Sequence, residues 1–177
     1  MKKIILYLFL IQPFILFGQQ DINRLYNQYM DARRRDMSYF NHISGSPYVN
    51  SEFSEAIVYM RDAKEPVTSK MRYNNYFDEM EMLEDNEEEY LILKNKSDVD
   101  SILLNDNRYQ YLTYSYDDER GVGFFIYLTE NENCCKLFMR RPKEFQEEKP
   151  PESGYDQYQP AAFLDKKEEF YVQFEDE

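Results

Sequence analysis

The sequence predicts a mainly β protein: an antiparallel meander forming a curved sheet or a small barrel, with one N-terminal helix. Three observations carry that expectation. The chain holds 17 Tyr and 13 Phe, no Trp and only 5 Gly, and aromatic side chains suit pleated, half-buried surfaces. Apolar and polar residues alternate along several short runs. Turn-forming clusters recur about every 8 to 12 residues, the spacing of a meander, sandwich or barrel.

The N-terminus is set apart from the rest. Lys2 and Lys3 precede an apolar run over residues 4–17, broken at Gln12 and Pro13. Gly18 then stands before the polar Gln19, Gln20 and Asp21. Positive, apolar, small and polar in that order is the layout of a secretory signal peptide, here residues 1–18. The run is short for a membrane span of about 20 residues, and Pro13 stops a helix from running on. No later segment is apolar enough to span a bilayer, so no membrane insertion is expected after signal cleavage. The expected location is the periplasm or the extracellular space.

Residues 19–45 read as a helix and a loop. Asp21 is a cap, Ile22, Leu25, Tyr26, Tyr29 and Met30 follow at helical spacing, and Arg33, Arg34 and Arg35 suit the last turn. The expected helix covers 21–37, and Ser44-Gly45-Ser46-Pro47 is a loop. Residues 46–146 form the β-rich domain. Its first strand is 56–61, followed by a turn at 62–66. In the next, Val67, Ser69, Met71 and Tyr73 alternate with Thr68, Lys70, Arg72 and Asn74. A strand over 76–83 continues after Asn74 and Asn75, which suggest a bulge or bend because asparagine tolerates left-handed backbone.

Further strands are expected at 90–94, 101–104, 109–116, 123–129 and 134–140. Turns are expected at 84–88, at Asp106 and Asn107, at 117–121 and at 131–133. Residues 147–177 form a Pro-rich, charged linker and a final strand, 169–174, packed on the same domain.

Three pieces of this pattern belong together. One is Ser46-Pro47-Tyr48-Val49-Asn50-Ser51-Glu52-Phe53, leading into a strand. Another is Met71-Arg72-Tyr73-Asn74-Asn75-Tyr76-Phe77-Asp78-Glu79-Met80-Glu81. The last is the set of strands around Tyr90-Leu91-Ile92-Leu93 and Gly123-Phe124-Phe125. Over residues 46–140 they resemble an uncharacterised family of secreted proteins from flavobacteria and related Bacteroidota, with a Y-x-N-x-x-F … R-Y-N-x-Y-x-D-E-M-E pattern. The resemblance implies export, β architecture and a source phylum. It implies no mechanism. Arg72, Tyr73, Asn74, Tyr76, Asp78, Glu79 and Glu81 are its motif residues, and a structural role is expected for them. Arg72 and Asp78 are expected to pair across the bend and hold two strands.

The formal net charge is −13, from 34 acidic and 21 basic residues, and cleavage of the leader would remove two of those lysines. Such a charge repels phosphate backbones and anionic lipid heads, so nucleic acid is not an expected partner. His42 is the single histidine, and a lone histidine in a Ser/Gly/Pro loop reads as surface. Triad catalysis needs a histidine oriented by a partner, and a His-rich or CxxC zinc site needs more ligands.

Cys134 and Cys135 are adjacent and point to opposite faces on a strand. Free thiols are the preferred reading, with a vicinal or an intermolecular disulfide as alternatives. Asp98 and Asp100, Asp117 to Glu119, and Glu84 to Glu89 crowd turns where oxygens suit Ca²⁺. None has EF-hand spacing, and a solvated turn is preferred in each. Gly121 and Gly123 read as hairpin geometry, with no phosphate cradle. No catalytic constellation emerges, and no cofactor is implied.

The expected function is therefore that of a non-enzymatic protein-binding module of the cell envelope. Tyr109, Tyr111, Tyr114 and Tyr116 offer its surface, since tyrosine is enriched in interfaces. The alternative is a small-ligand or glycan binder with an aromatic-lined β pocket. A hydrolase using two carboxylates about 5 to 9.5 Å apart is a third, weaker reading.

Overall fold

Alternation of buried and exposed side chains sets the strands of this protein. The computed structural model describes residues 30–31, 40, 43–84, 90–116, 119–129, 135–151 and 157–174. The leader at 1–18, His42, Cys134 and the turn at 131–133 lie outside the described residues. Among the described residues there are twelve strands: β1 (Met30–Asp31), β2 (Ser54–Met60), β3 (Val67–Asn74), β4 (Glu79–Leu83), β5 (Tyr90–Leu93), β6 (Val99–Leu104), β7 (Asn107–Tyr116), β8 (Glu119–Tyr127), β9 (Cys135–Arg140), β10 (Lys143–Gln146), β11 (Ala162–Asp165) and β12 (Glu169–Phe174). In β2, Ala56, Val58 and Met60 are buried at every second position, and Leu91 and Leu93 repeat the pattern in β5. Asn105 and Asp106 both take positive φ, 50° and 61°, and so close β6 onto β7 as a two-residue hairpin.

Ten strands form one sheet in the order β1-β5-β4-β3-β2-β6-β7-β8-β9-β12. Its eight central strands are two four-stranded meanders, β2–β5 and β6–β9, joined where β6 pairs antiparallel with β2. The sheet is open, with β1 and β12 at its ends, so the curved sheet is found and the small barrel is not.

The curvature is strong. Tyr73 on β3 and Tyr109 on β7 are three strand spacings apart through the sheet, about 14 Å, yet their ring centroids lie 5.2 Å apart. The sheet rolls over so that both meanders share one core. That core includes Val58, Met71, Met80, Met82 and Leu93 from one meander and Ile102, Phe124, Ile126 and Met139 from the other. A register shift between β2 and β6 at Tyr59/Met60 adds local twist. Methionine fills irregular gaps because its unbranched side chain adapts, which suits the crease of a rolled sheet.

A second, two-stranded sheet pairs β10 with β11. Its Phe145 and Phe163 pack with Phe40, Tyr76 and Phe77 in a satellite aromatic cluster with centroid separations of 4.7 to 6.4 Å. Phe163 N–H donates to the Ser44 carbonyl at 2.9 Å, tying this cluster to the loop before β2.

Three expectations are corrected. The N-terminal helix is not found: Met30 and Asp31 pair as a strand with Leu93 and Ile92, and among the described residues there is no α-helix. The free edge of β5 offers backbone partners that override a short helical pattern. The remainder of 21–37 lies outside the described residues. The bend at Asn74 and Asn75 is a full hairpin loop, and the second strand begins at Glu79. Asn74 Oδ1 accepts the Phe77 N–H at 3.1 Å and Asp78 takes φ 55°, the side-chain-closed turn that asparagine favours. Finally, β8 begins at Glu119, so the β7–β8 connection is shorter than the turn expected at 117–121. Among the described residues no helix is long and apolar enough to cross a membrane.

Candidate functional site

Motif residues fall in two polar groups, with Tyr76 apart from both in the satellite aromatic cluster. Arg72 stands directly opposite Glu81 across the β3–β4 hairpin. Its Nε lies 2.7 Å from Glu81 Oε2. The expected Arg72–Asp78 pair does not form: Asp78 sits in the turn, beyond the paired positions, and contacts Arg140 at 3.6 Å. Glu81 is 1% exposed and also accepts from Asn74 Nδ2 at 3.0 Å and from the Tyr48 hydroxyl at 3.1 Å on each oxygen. The Arg72 guanidinium lies over the rings of Tyr48 and Phe53 at 4.3 and 4.2 Å, and donates to the Ser51 carbonyl. Asn75 bridges the Val49 N–H and the Arg141 carbonyl. This group fastens the 44–53 loop to the hairpin. Three donors converge on the Glu81 carboxylate, and its burial keeps it out of reach of a substrate.

The second group turns on Asp78. Beside Ile126 and Tyr127, β8 pairs with β9; nearer its start, the two strands separate. The Asp78 side chain fills that split. It accepts the Phe124 N–H at 3.1 Å and the Tyr73 hydroxyl at 2.5 Å, while Lys96 Nζ donates to its main-chain oxygen at 2.7 Å. Burial, then the Asp78 carboxylate, raises the Tyr73 hydroxyl well above the ordinary tyrosine value. Burial lowers Lys96, with Asp78 and Glu79 opposing it. Gly123 makes the close approach available: a Cβ there would lie 2.7 Å from Asp78 Oδ2 and 3.1 Å from Arg140 Nη2.

Arg140 links this group to a concave surface. Its Nη1 donates to the Tyr114 hydroxyl at 3.1 Å. Tyr114 is paired with Gly121, six residues along β8 from Tyr127, which is level with Phe138 and, through it, with Tyr171. A straight ribbon would put about 20 Å of strand between those levels, yet the Tyr114 and Tyr171 rings are 5.3 Å apart. The β7–β8 ribbon therefore bends over β9 and β12. Gly121 permits this, since a Cβ there would fall 2.7 Å from the Tyr114 ring.

The bend encloses a half-open trough of about 510 Å³, lined by Leu112 to Ser115, Arg120, Phe125, Phe138 and residues 171–173. Phe125 and Phe138 are buried beneath it. The Tyr171 hydroxyl donates to Glu169 at 3.0 Å, and burial together with that bond pushes it up to about 12.

The expected tyrosine surface divides between environments. Tyr109 is in the core, Tyr111 and Tyr114 are half-buried, and of the four only Tyr116 is exposed, at 65%. Sequence reasoning missed Arg120, Arg140 and Tyr171. The signal present was a pair of glycines on a strand rich in aromatics. Cys135 is half-buried at the start of β9. Among the described residues no group of three or more His, Cys, Asp or Glu is arranged to hold a metal ion. No carboxylate is among the described residues lining the trough. No family model matches this chain, no curated protein matches it, and no solved structure matches it.

Proposed function

We propose that this is an exported, non-enzymatic protein-binding module of the cell envelope, and that it binds an extended, basic segment of a partner along β12. One observation carries the reading. β12 is an end strand of the sheet, and Phe170, Val172 and Phe174 on one of its faces are 59%, 51% and 57% exposed. Native proteins blunt such edges with charge, proline or cover, because an open edge templates pairing with another chain. A partner strand would gain main-chain hydrogen bonds from the edge and side-chain contacts from the apolar row.

Charge selects the partner. Glu168 and Glu169 precede the row and Glu175, Asp176 and Glu177 follow it in sequence. An antiparallel second copy would bring those acids together, whereas a basic segment would neutralise them. The leader-like residues 1–18 support export.

Fluorescence anisotropy with labelled peptides alternating lysine and valine or phenylalanine tests this. Binding weakened by salt, and reduced about tenfold or more by the double substitution Phe170→Ser/Phe174→Ser, is the expected result. Failure of every such peptide to bind, or equal binding by the double variant, overturns it.

A further inference from the structure

We propose that the trough between the bent β7–β8 ribbon and β12 is a saccharide-binding site that prefers sugars carrying a carboxylate. This goes beyond the docking of a partner strand: of the exposed row on β12 only Val172 also lines the trough, whereas Phe170 and Phe174 do not. Its size, about 510 Å³, falls within the range of small-ligand sites.

The floor and the rim differ in chemistry. Tyr114 and Tyr171, backed by the buried Phe125 and Phe138, supply an apolar surface for the C–H face of a pyranose. Thr113, Ser115 and Gln173 bring polar groups to the lining for hydroxyls. Arg120 is exposed there, and its guanidinium has no ion-pair partner among the described residues. Arg140, by contrast, is committed to Asp78 and Tyr114. One guanidinium, with no carboxylate among the described lining residues, fits one carboxylate of a sugar acid. A nucleotide's phosphates would call for more positive charge than the site holds, on a chain of net charge −13.

The site is preorganised. Arg140 holds the Tyr114 hydroxyl by its oxygen and leaves that hydroxyl's own proton to donate. Glu169 fixes Tyr171, and Phe125 packs against both rings at 5.4 and 5.0 Å. Rings already ordered lose little freedom when a ligand arrives.

Calorimetric titration of the intact protein with digalacturonic acid, cellobiose and benzoate tests the proposal. Digalacturonic acid is expected to bind about tenfold more tightly than cellobiose, and Arg120→Ala to erase that difference. Tyr171→Ala is expected to weaken both sugars, while Phe170→Ser/Phe174→Ser leaves both unchanged. Arg120 is exposed, so its variant is expected to keep the wild-type far-ultraviolet circular dichroism. Absence of binding by either sugar overturns the proposal. So does sugar binding indifferent to both trough variants, and so does benzoate binding as tightly as digalacturonic acid.

Discussion

Glu81 is the charge on which the loop before β2 depends. Arg72, Asn74 and Tyr48 all donate to it, and it is almost wholly buried. Removing one partner of a buried pair leaves an uncompensated charge, at a cost of about 3–5 kcal/mol. Glu81→Ala is therefore expected to lower stability by about that amount in urea denaturation followed by circular dichroism. Arg141 and Glu168 form a pair of similar length, 2.9 Å, but both side chains are well exposed. Arg141→Ala is expected to cost only about 0–1 kcal/mol in the same measurement. Equal losses would contradict the assigned burial of Glu81.

Tyrosine protons add a pH dependence at this scale. Burial, then Glu81, raises the Tyr48 hydroxyl far above the ordinary value of about 10, and Tyr73 is raised by burial and Asp78. The folded chain keeps these protons where the unfolded chain releases them. Their contribution to stability is thus complete below about pH 10 and is lost as pH rises through the folded values. Thermal midpoints are expected to fall steeply above about pH 10, with a late tyrosinate absorbance step coinciding with loss of circular dichroism. Tyrosine ionisation that is complete before the fold is lost would refute this.

At the scale of elements, the β3–β4 hairpin acts as a wedge. The Asp78 carboxylate takes up the Phe124 N–H where β8 and β9 part, so the turn of one meander completes the ladder of the other. Gly123→Ala would force a methyl against Asp78 and Arg140, with an expected loss of about 1–3 kcal/mol by denaturant titration. Gly121→Ala meets the outer end of the Tyr114 ring, which is able to rotate away. That variant is expected to keep most of its stability and lose saccharide binding, because the rotated ring occupies the trough. Unchanged stability of Gly123→Ala, or unchanged saccharide binding by Gly121→Ala, would contradict the close approach assigned to that glycine.

Over the whole molecule, two meanders meeting at β2 and β6 roll onto one core and leave the two end strands apart. Closure would have hidden β12; the open arrangement exposes it. The net charge of −13 opposes compaction through self-repulsion. Raising sodium chloride from about 0.02 to about 0.5 M shortens the screening length from roughly 20–30 Å to a few Å. The thermal midpoint is expected to rise with it, whereas peptide binding along β12 is expected to weaken. A fall in the midpoint would place the dominant charge interactions among attractive pairs such as Arg72–Glu81.

Local chemistry carried much of this fold in the sequence. Alternation in Val67, Ser69, Met71 and Tyr73 gave β3 its bounds, and 169–174 gave those of β12, because side chains on a pleated strand change face at every residue. The Asn74-Asn75 pair announced a change of direction without its type, which depended on the Asn74 side chain closing the loop onto Phe77. Glu81 was recognisable as part of a motif, but its partner was not: pairing with Arg72 follows from register, a relation between two strands. The trough was illegible. Tyr114, Arg120 and Tyr171 lie up to 57 positions apart along the chain, and they line one trough because the β7–β8 ribbon bends across β12. By itself the sequence determined strand character, turn positions and charge, which depend on neighbours a few residues away. Only the tertiary structure decided an open roll over a barrel, β1 over a helix at Met30 and Asp31, and which aromatics face the trough, because these rest on contacts between segments that no local pattern encodes.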